Sequence, residues 1–107
     1  MSGLQAEALV IGHYLNLGYC LFRQRWRTPY AEIDLLFTHP RNNKILLLVE
    51  VKRRCSLEFR DLALSRRQKA RLIRAVNWLS EAGHLVECQL AFVGKRDEIE
   101  ILSDVFG

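Results

Sequence analysis

Apolar residues fall into separate blocks along the chain, and their spacing changes from helix-like to strand-like between blocks. Residues 3–17 carry apolar positions three and four apart, which predicts a first amphipathic helix. Ser2 and Gln5 have the spacing of a capping box, and Gly18 suits the C-terminal end of the helix. The predicted buried stripe is Leu4, Ala8, Ile11 and Leu15.

The next three blocks predict β-strands. Residues 19–27 predict a first strand with its three arginines on one face and Trp26 on the other. Two short runs rich in β-favouring residues, 33–37 and 45–51, flank the turn residues 40–43. These two runs predict an antiparallel hairpin.

A second helix is predicted over residues 62–82, ending at Gly83, followed by two closing strands over 86–93 and 98–102. Residues 53–61 show no periodicity and are predicted to form a loop. The predicted buried stripe of the second helix is Leu62, Leu72, Ile73, Val76 and Leu79, with Ser65 and Lys69 on its N-terminal part.

The order of elements is helix, three strands, helix and two strands (αβββαββ), which predicts an α/β fold with a mixed sheet flanked by helices. With 107 residues, half of them hydrophobic, the chain suits a single domain spanning residues 1–107. No apolar run approaches the roughly 18 residues that a membrane helix needs. Cys20, Cys55 and Cys88 are far apart and form no CxxC pair, which favours a reduced, cytoplasmic protein without a zinc site.

The charged residues of the central hairpin lie at the end away from its turn. In an ideal hairpin centred on Asn42, Asp34 faces Glu50 and Glu32 faces Lys52, with all four on one side of the sheet. Three acids this close repel one another unless a cation lies among them or some take up protons. A solvent-exposed ion pair between Glu32 and Lys52 is the plainer interpretation. The residues expected on the other side are Ile33, Leu35, Val49 and Val51.

Basic residues outnumber acidic residues by 16 to 12, and the net charge of +4 favours an anionic partner. They form three clusters, and each cluster alone is typical of a solvated face. Three clusters around one acidic site favour nucleic acid, with DNA as the expected partner. The candidate nucleic-acid-binding residues are Arg25, Arg27, Arg53, Arg67, Lys69, Arg71 and Arg74.

Asp34, fifteen intervening residues and then Glu50-Val51-Lys52 resemble the PD-(D/E)xK nuclease signature. That pattern is weak alone, because D…ExK matches arise by chance. Over about residues 3 to 80 the chain is also similar to the YraN family, small bacterial proteins predicted to be endonucleases and related to archaeal Holliday-junction resolvases. The similarity rests on Gly3, Glu7, Ala8, Tyr14-Leu15, Gly18-Tyr19, Trp26-Arg27, Glu32-Ile33-Asp34, Val49-Glu50-Val51-Lys52 and Lys69.

The resemblance implies a restriction-endonuclease-like fold with Mg²⁺ or Mn²⁺ as cofactor. Lys52 would orient the attacking water or stabilise charge on the phosphate, and its acidic neighbours favour the electrostatic role over that of a general base. From the sequence alone, Glu7 could instead be a favourable charge in the first turn of a helix. The implied metal ligands are Glu7, Asp34, Glu50 and the main-chain carbonyl of Val51. The implied catalytic residues are Asp34, Glu50 and Lys52, with Glu32 in a supporting role.

Three functions therefore compete. The first is a metal-dependent endonuclease that cleaves phosphodiester bonds of DNA, including branched or junction DNA. The second is a non-catalytic nucleic-acid-binding protein that retains the nuclease fold. The third is a protein-interaction module whose acidic cluster is structural. The sequence leaves open the shape of the substrate and whether the substrate is DNA or RNA. It also leaves open whether the chain acts as a monomer or a homodimer.

Overall fold

The computed structural model describes residues 3–53, 64–103 and 105–106. These form α1 (Gly3–Asn16), β1 (Cys20–Arg27), β2 (Glu32–Thr38), β3 (Ile45–Arg53), α2 (Arg66–Glu81), β4 (Leu85–Val93) and β5 (Ile99–Leu102). The strands form one sheet in chain order, with β3 and β4 parallel and the other neighbours antiparallel. α2 lies in the connection between β3 and β4, as a parallel pair requires. The predicted mixed α/β fold and the order αβββαββ are confirmed.

One helix packs on each side of the sheet, and we call these sides the α1 face and the α2 face. Alternate residues of β2 and β3 point to opposite faces, so the hairpin contributes to both cores. The α1 core contains Ala6, Val10 and Tyr14 with Leu35, Phe37, Leu47 and Val49. The α2 core contains Leu72, Ala75 and Leu79 with Ile33, Leu36, Leu46 and Leu48.

The buried stripe of α1 differs from the predicted one. Leu4 and Leu15 are 53% and 49% exposed, whereas Glu7 and Val10 are buried. The prediction was wrong because α1 carries apolar residues on several sides, so periodicity alone could not select the face that meets the sheet. Gly18 follows the helix with φ +96°, as a helix-ending glycine should.

α2 begins at Arg66, four residues later than predicted, because Ser65 is its N-cap. Ser65 Oγ accepts the Gln68 backbone N–H at 3.2 Å, and Gln68 Oε1 accepts the Ser65 N–H at 3.1 Å. This reciprocal capping box fixes the start of the helix. Ile73 is 42% exposed, and Ala75 is buried on the sheet side instead.

β1 is not the flat alternating strand that was predicted. Its register with β2 shifts between Leu21 and Arg23, and Arg25 has a φ of 49°, in the left-handed region. As a result, Gln24 and Arg25 both reach Glu7 on the α1 face. Arg23 lines a cleft with Trp26 and Leu79 on the α2 face, so the prediction that all three arginines of this strand share a face is wrong.

Several predicted features lie outside the described residues: the cap Ser2, Cys55, Leu62 and most of the predicted loop 53–61. Arg53 is described, and it ends β3 instead of starting a loop. Cys20 and Cys88 are free thiols. No helix within the described ranges is long and apolar enough to span a membrane.

Candidate active site

The end of the β2–β3 hairpin brings two carboxylates together. Leu35 pairs with Val49, in the register predicted from the sequence. At the next positions, side chains bond to the backbone: Val51 N–H donates to Asp34 Oδ2 at 2.8 Å, and Asp34 N–H donates to Glu50 Oε1 at 3.4 Å. Asp34 and Glu50 therefore lie side by side, as predicted.

The side chains of β2 do not alternate regularly between the two faces of the sheet around Asp34. Ile33 packs with Leu36 and Leu48 on the α2 face, although Leu35, two residues later, packs on the α1 face. The prediction that Ile33 and Leu35 share one side is wrong. The hydrogen bonds of Asp34 interrupt the alternation there, which sequence periodicity assumes to be regular.

A cleft of about 240 Å³ opens beside the carboxylates, between the sheet end and the first half of α2. Glu50 and Lys52 line it together, and both are only partly buried. Apolar walls come from Leu64 and Leu72, while the polar and aromatic lining includes Tyr30, Glu32, Gln68 and Arg71. The candidate catalytic lysine therefore shares an accessible cleft with one of the two acids.

The environment raises the pKa of both carboxyl groups. Burial is the main cause for Glu50, and together with the negative charge of Asp34 it raises the pKa to about 8. The pKa of Asp34 is raised chiefly by burial and further by the charge of Glu7, against the hydrogen bond from Val51 and the charge of Lys52. Near neutral pH such a pair retains a proton or takes a cation in its place.

Glu7 is buried, at 4% exposed, on the α1 face. Arg25 Nε and Gln24 Nε2 each donate to Glu7 Oε1 at 3.2 Å. Gln24, which contacts Glu7, pairs with Leu35, the residue after Asp34, so this third acid lies near the pair and its charge raises the pKa of Asp34. Acids from α1, β2 and β3 thus converge on one end of the sheet, and Glu7 is more than a first-turn charge.

Carboxylate oxygens are the ligands that Mg²⁺ and Mn²⁺ prefer, and a cation relieves the repulsion between two partly buried acids. Asp34 and Glu50 therefore fit a divalent cation. Among the described residues, no group of three or more His, Cys, Asp or Glu side chains is already arranged as a metal site. Glu7, a further predicted ligand, is paired with Arg25. The Val51 carbonyl stays a predicted ligand, while the N–H of the same residue donates to Asp34 Oδ2.

An exposed ion pair between Glu32 and Lys52, the plainer interpretation of the hairpin charges, is not found among the described residues. Glu32 lies 3.9 Å from Arg27, with both side chains at least half exposed, and this is a weak surface pair. The ion pairs of the described residues do not include Glu32 with Lys52. Lys52 thus lines the cleft without an ion-pair partner among those contacts.

Arg53 is engaged within the protein. Its Nη1 donates to Gly94 O at 2.9 Å and its Nη2 to Asp97 Oδ1 at 3.1 Å, at the turn between β4 and β5. The guanidinium therefore holds this turn to the end of β3. We leave Arg53 out of the proposed nucleic-acid surface for this reason.

The basic residues of α2 lie along the cleft side of the helix or in solvent. Arg71 lines the 240 Å³ cleft, and Arg74 lines a neighbouring cleft of about 270 Å³. Tyr30 lines both clefts and is 46% exposed. Arg67 is exposed and Lys69 is partly buried, and neither lines these clefts.

Three residues near the site were not recognised from the sequence in these roles. No role at the site was predicted for Tyr30 or Gln68 from the sequence, although Ser65-x-x-Gln68 has capping-box spacing, which places Gln68 in the first turn of α2. Arg25 was predicted to bind nucleic acid, yet it pairs with a buried acid. The signal for this contact was the single glutamate of a helix rich in apolar residues, because a glutamate needs a cationic partner when it is buried.

The fold is similar to that of Hjc, a Holliday junction resolvase from the archaeal hyperthermophile Archaeoglobus fulgidus, with a TM-score of 0.67. The alignment covers 94% of this chain and 76% of that chain, at 19% sequence identity. This likeness concerns the fold, and it confirms the predicted nuclease-like arrangement of helices and strands.

Relatives in sequence cover most of the chain. A UPF0102 protein of Nitrobacter winogradskyi is 39% identical over 79 residues, covering 73% of this chain and 64% of the relative. A second UPF0102 protein, from Rhodopseudomonas palustris strain BisB18, is 36% identical over 92 residues, covering 85% of this chain and 66% of the relative. The chain thus matches slightly less than two thirds of the length of either relative. The model of "Uncharacterised protein family UPF0102" matches residues 6–101. The chain therefore belongs to the UPF0102 (YraN) family.

Proposed function

We propose that this protein is a metal-dependent endonuclease that cleaves phosphodiester bonds of DNA. The observation that carries the proposal is the Asp34–Glu50 pair at the sheet end, with Lys52 in the adjoining cleft. A purely structural hairpin end has no need of two partly buried acids with raised pKa values beside an accessible lysine. The Hjc-like fold supports the same assignment.

Each residue has a distinct part in the proposed chemistry. Asp34 and Glu50 would hold Mg²⁺ or Mn²⁺, which when bound polarises the phosphate and increases the acidity of water. The Val51 N–H fixes the orientation of the Asp34 carboxylate through the 2.8 Å hydrogen bond. Lys52 directs its positive charge into the cleft, where a phosphate gains negative charge during cleavage.

DNA is the proposed substrate because cationic and aromatic groups continue from the cleft along one face. Tyr30 shares one cleft with Arg71 and the neighbouring cleft with Arg74, and it can stack on a base while the guanidinium groups contact phosphates. Arg67 and Lys69 on the same helix, and Arg27 on β1, would add positive charge at the margins. The proposed substrates include branched or junction DNA, since Hjc is a Holliday junction resolvase.

A cleavage assay tests the activity. Linear duplex, flap, four-way junction and single-stranded DNA are incubated with the protein in Mg²⁺, Mn²⁺ or EDTA. We expect cleavage that requires a divalent cation and is abolished in Asp34→Asn, which can still accept the Val51 N–H bond but has no charge. The exposed control Glu87→Gln should retain activity. DNA binding without cleavage by the wild-type protein in either metal would instead indicate the non-catalytic alternative.

Calorimetric titration with Mn²⁺ tests the metal site independently of cleavage. We expect binding to the wild-type protein and its loss in the Asp34→Asn, Glu50→Gln double variant. Saturating metal should also raise the melting temperature of the wild-type protein, because a ligand that binds only the folded state stabilises it. Equal Mn²⁺ binding by the double variant would place the metal elsewhere.

A further inference from the structure

Arg25 occupies an unexpected position at the candidate site. Its Nε donates to Glu7 Oε1 at 3.2 Å, and its side chain is 44% exposed while that of Glu7 is 6% exposed. The buried acid therefore has a cation that reaches it from the surface side. Gln24 Nε2 donates to the same oxygen, so two neighbours on β1 hold one carboxylate atom.

The backbone of β1 is distorted where it delivers this arginine. Arg25 has φ 49°, in the left-handed region that non-glycine residues rarely adopt, and the strand register shifts a few residues earlier. Gly3 lies against the pair, because a Cβ there would be 3.2 Å from Arg25 Nη2 and 3.6 Å from Glu7 Oε2. Gly3 therefore leaves room beside it for both side chains of the pair.

Arg25 also lies in the field of the other acids. Its pKa is raised first by the hydrogen bond and charge of Glu7, and further by the charges of Glu32 and Asp34. Arg27, two residues later, lies 3.9 Å from Glu32 and is almost fully exposed. Arg25 thus binds the buried Glu7, whereas Arg27 lies beside the exposed Glu32 and offers a matched control.

We propose that Arg25 is the built-in counter-cation of the candidate metal site and competes with a divalent cation for Glu7. This inference rests on the proposed metal-dependent function. Without metal, the guanidinium neutralises Glu7 and reduces the negative potential that Asp34 and Glu50 would otherwise present. A divalent cation at the pair attracts the Glu7 carboxylate, so cation binding and the Arg25–Glu7 contact weaken each other by the same factor.

The two possible roles of Arg25, supporting Glu7 as a metal ligand or competing with the metal for Glu7, predict opposite changes in metal affinity. If Arg25 only held Glu7 in place for the metal, its removal would weaken metal binding. If Arg25 competes, removing its charge leaves three acids with one cation fewer and strengthens metal binding. With partial screening at an exposed guanidinium, the gain should be about 3- to 10-fold in affinity.

The experiment is calorimetric titration of Mn²⁺ into the metal-free wild-type protein, Arg25→Gln and the matched control Arg27→Gln. We expect Arg25→Gln to bind Mn²⁺ about 3- to 10-fold more tightly, and Arg27→Gln to change the affinity less than about twofold. Arg25→Lys keeps the charge but replaces the guanidinium, so its Mn²⁺ affinity should lie between those of the wild-type protein and Arg25→Gln. It replaces Arg25→Gln in the comparison if Arg25→Gln does not fold.

Thermal melting supplies a second measurement. Metal-free Arg25→Gln should melt below the wild-type protein, because Glu7 loses its cation, and saturating Mn²⁺ should narrow the difference. Mn²⁺ affinity that is unchanged or weaker in both Arg25 variants would overturn the inference while leaving the proposed function intact. A wild-type protein that does not bind Mn²⁺ would overturn the proposed function and this inference with it.

Discussion

Asp34 Oδ2 accepts the backbone N–H of Val51 at 2.8 Å, so a candidate catalytic carboxylate takes the place of a backbone acceptor at the end of the hairpin. The bond orients Asp34 without any additional loop and positions it against Glu50, whose Oε1 accepts the Asp34 N–H. Building the site into the strand pairing makes it as rigid as the sheet itself. Rigid placement of charged groups is what electrostatic catalysis requires.

Stability without metal should fall as the pH rises, because of Glu50. Its pKa in the folded protein is raised to about 8 from the ordinary 4.5, so the folded state holds its proton more tightly than the unfolded state. The resulting stabilisation is complete below the unfolded pKa and is lost as the pH rises through about 8. We expect the free energy of unfolding in EDTA to fall by at least about 1 kcal/mol between pH 5 and pH 8. The melting temperature should fall over the same range.

Glu50→Gln should make this pH dependence much shallower, whereas the exposed Glu87→Gln should not. Added Mg²⁺ should stabilise the wild-type protein more at pH 8 than at pH 5, because a larger fraction of the carboxyl groups is then deprotonated. A wild-type melting temperature that is flat or rising between pH 5 and pH 8 in EDTA would contradict the assigned environment of Glu50.

Loss of Lys52 should reduce the rate of cleavage far more than the affinity for DNA. Lys52→Met keeps most of the apolar stem and removes the charge that faces the cleft. We expect a ~10²–10³-fold loss in the single-turnover rate, as for other groups aimed at developing charge. The binding isotherm should barely change, because many arginines share the ground-state contacts. Lys44→Met, at the exposed hairpin turn, is the control. A rate loss below about tenfold would make Lys52 structural.

Arg71 should contact phosphate and carry no sequence information. Arg71→Gln removes one positive charge from the lining of the 240 Å³ cleft. The slope of log affinity against log salt should fall by about one, with similar weakening on unrelated sequences. Arg96→Gln, exposed near the turn between β4 and β5, should leave the slope unchanged. A change in sequence preference at constant salt slope would assign Arg71 to base contacts instead.

Arg53 should matter for stability and not for DNA. Arg53→Met removes hydrogen bonds to Gly94 O and Asp97 Oδ1 and should lower the free energy of unfolding by about 1–2 kcal/mol, measured by urea titration. Arg27→Met removes only an exposed contact and should change the free energy of unfolding by less than about 0.5 kcal/mol. Unchanged stability together with a smaller salt slope for Arg53→Met would return Arg53 to the nucleic-acid surface.

The sequence determined the elements and the central register of this protein. Short β-favouring runs on both sides of a turn were enough to place Leu35 opposite Val49, because the pairing of a tight hairpin follows from its turn. That register brought Asp34 to Glu50, and the motif identified them as a candidate site. Both results depend on contacts close in sequence, where the spacing of residues sets the geometry.

Tertiary structure decided which side each element presents and which charges are paired. α1 has apolar residues on several sides, so only its packing on the sheet could bury Glu7 and leave Leu4 exposed. The partner of Glu7 then depended on the distortion of β1 at Arg25, a local irregularity that periodicity cannot express. Spacing along the chain fixes what can be adjacent within one hairpin, whereas the neutralisation of a buried acid depends on which distant strand comes to lie against it.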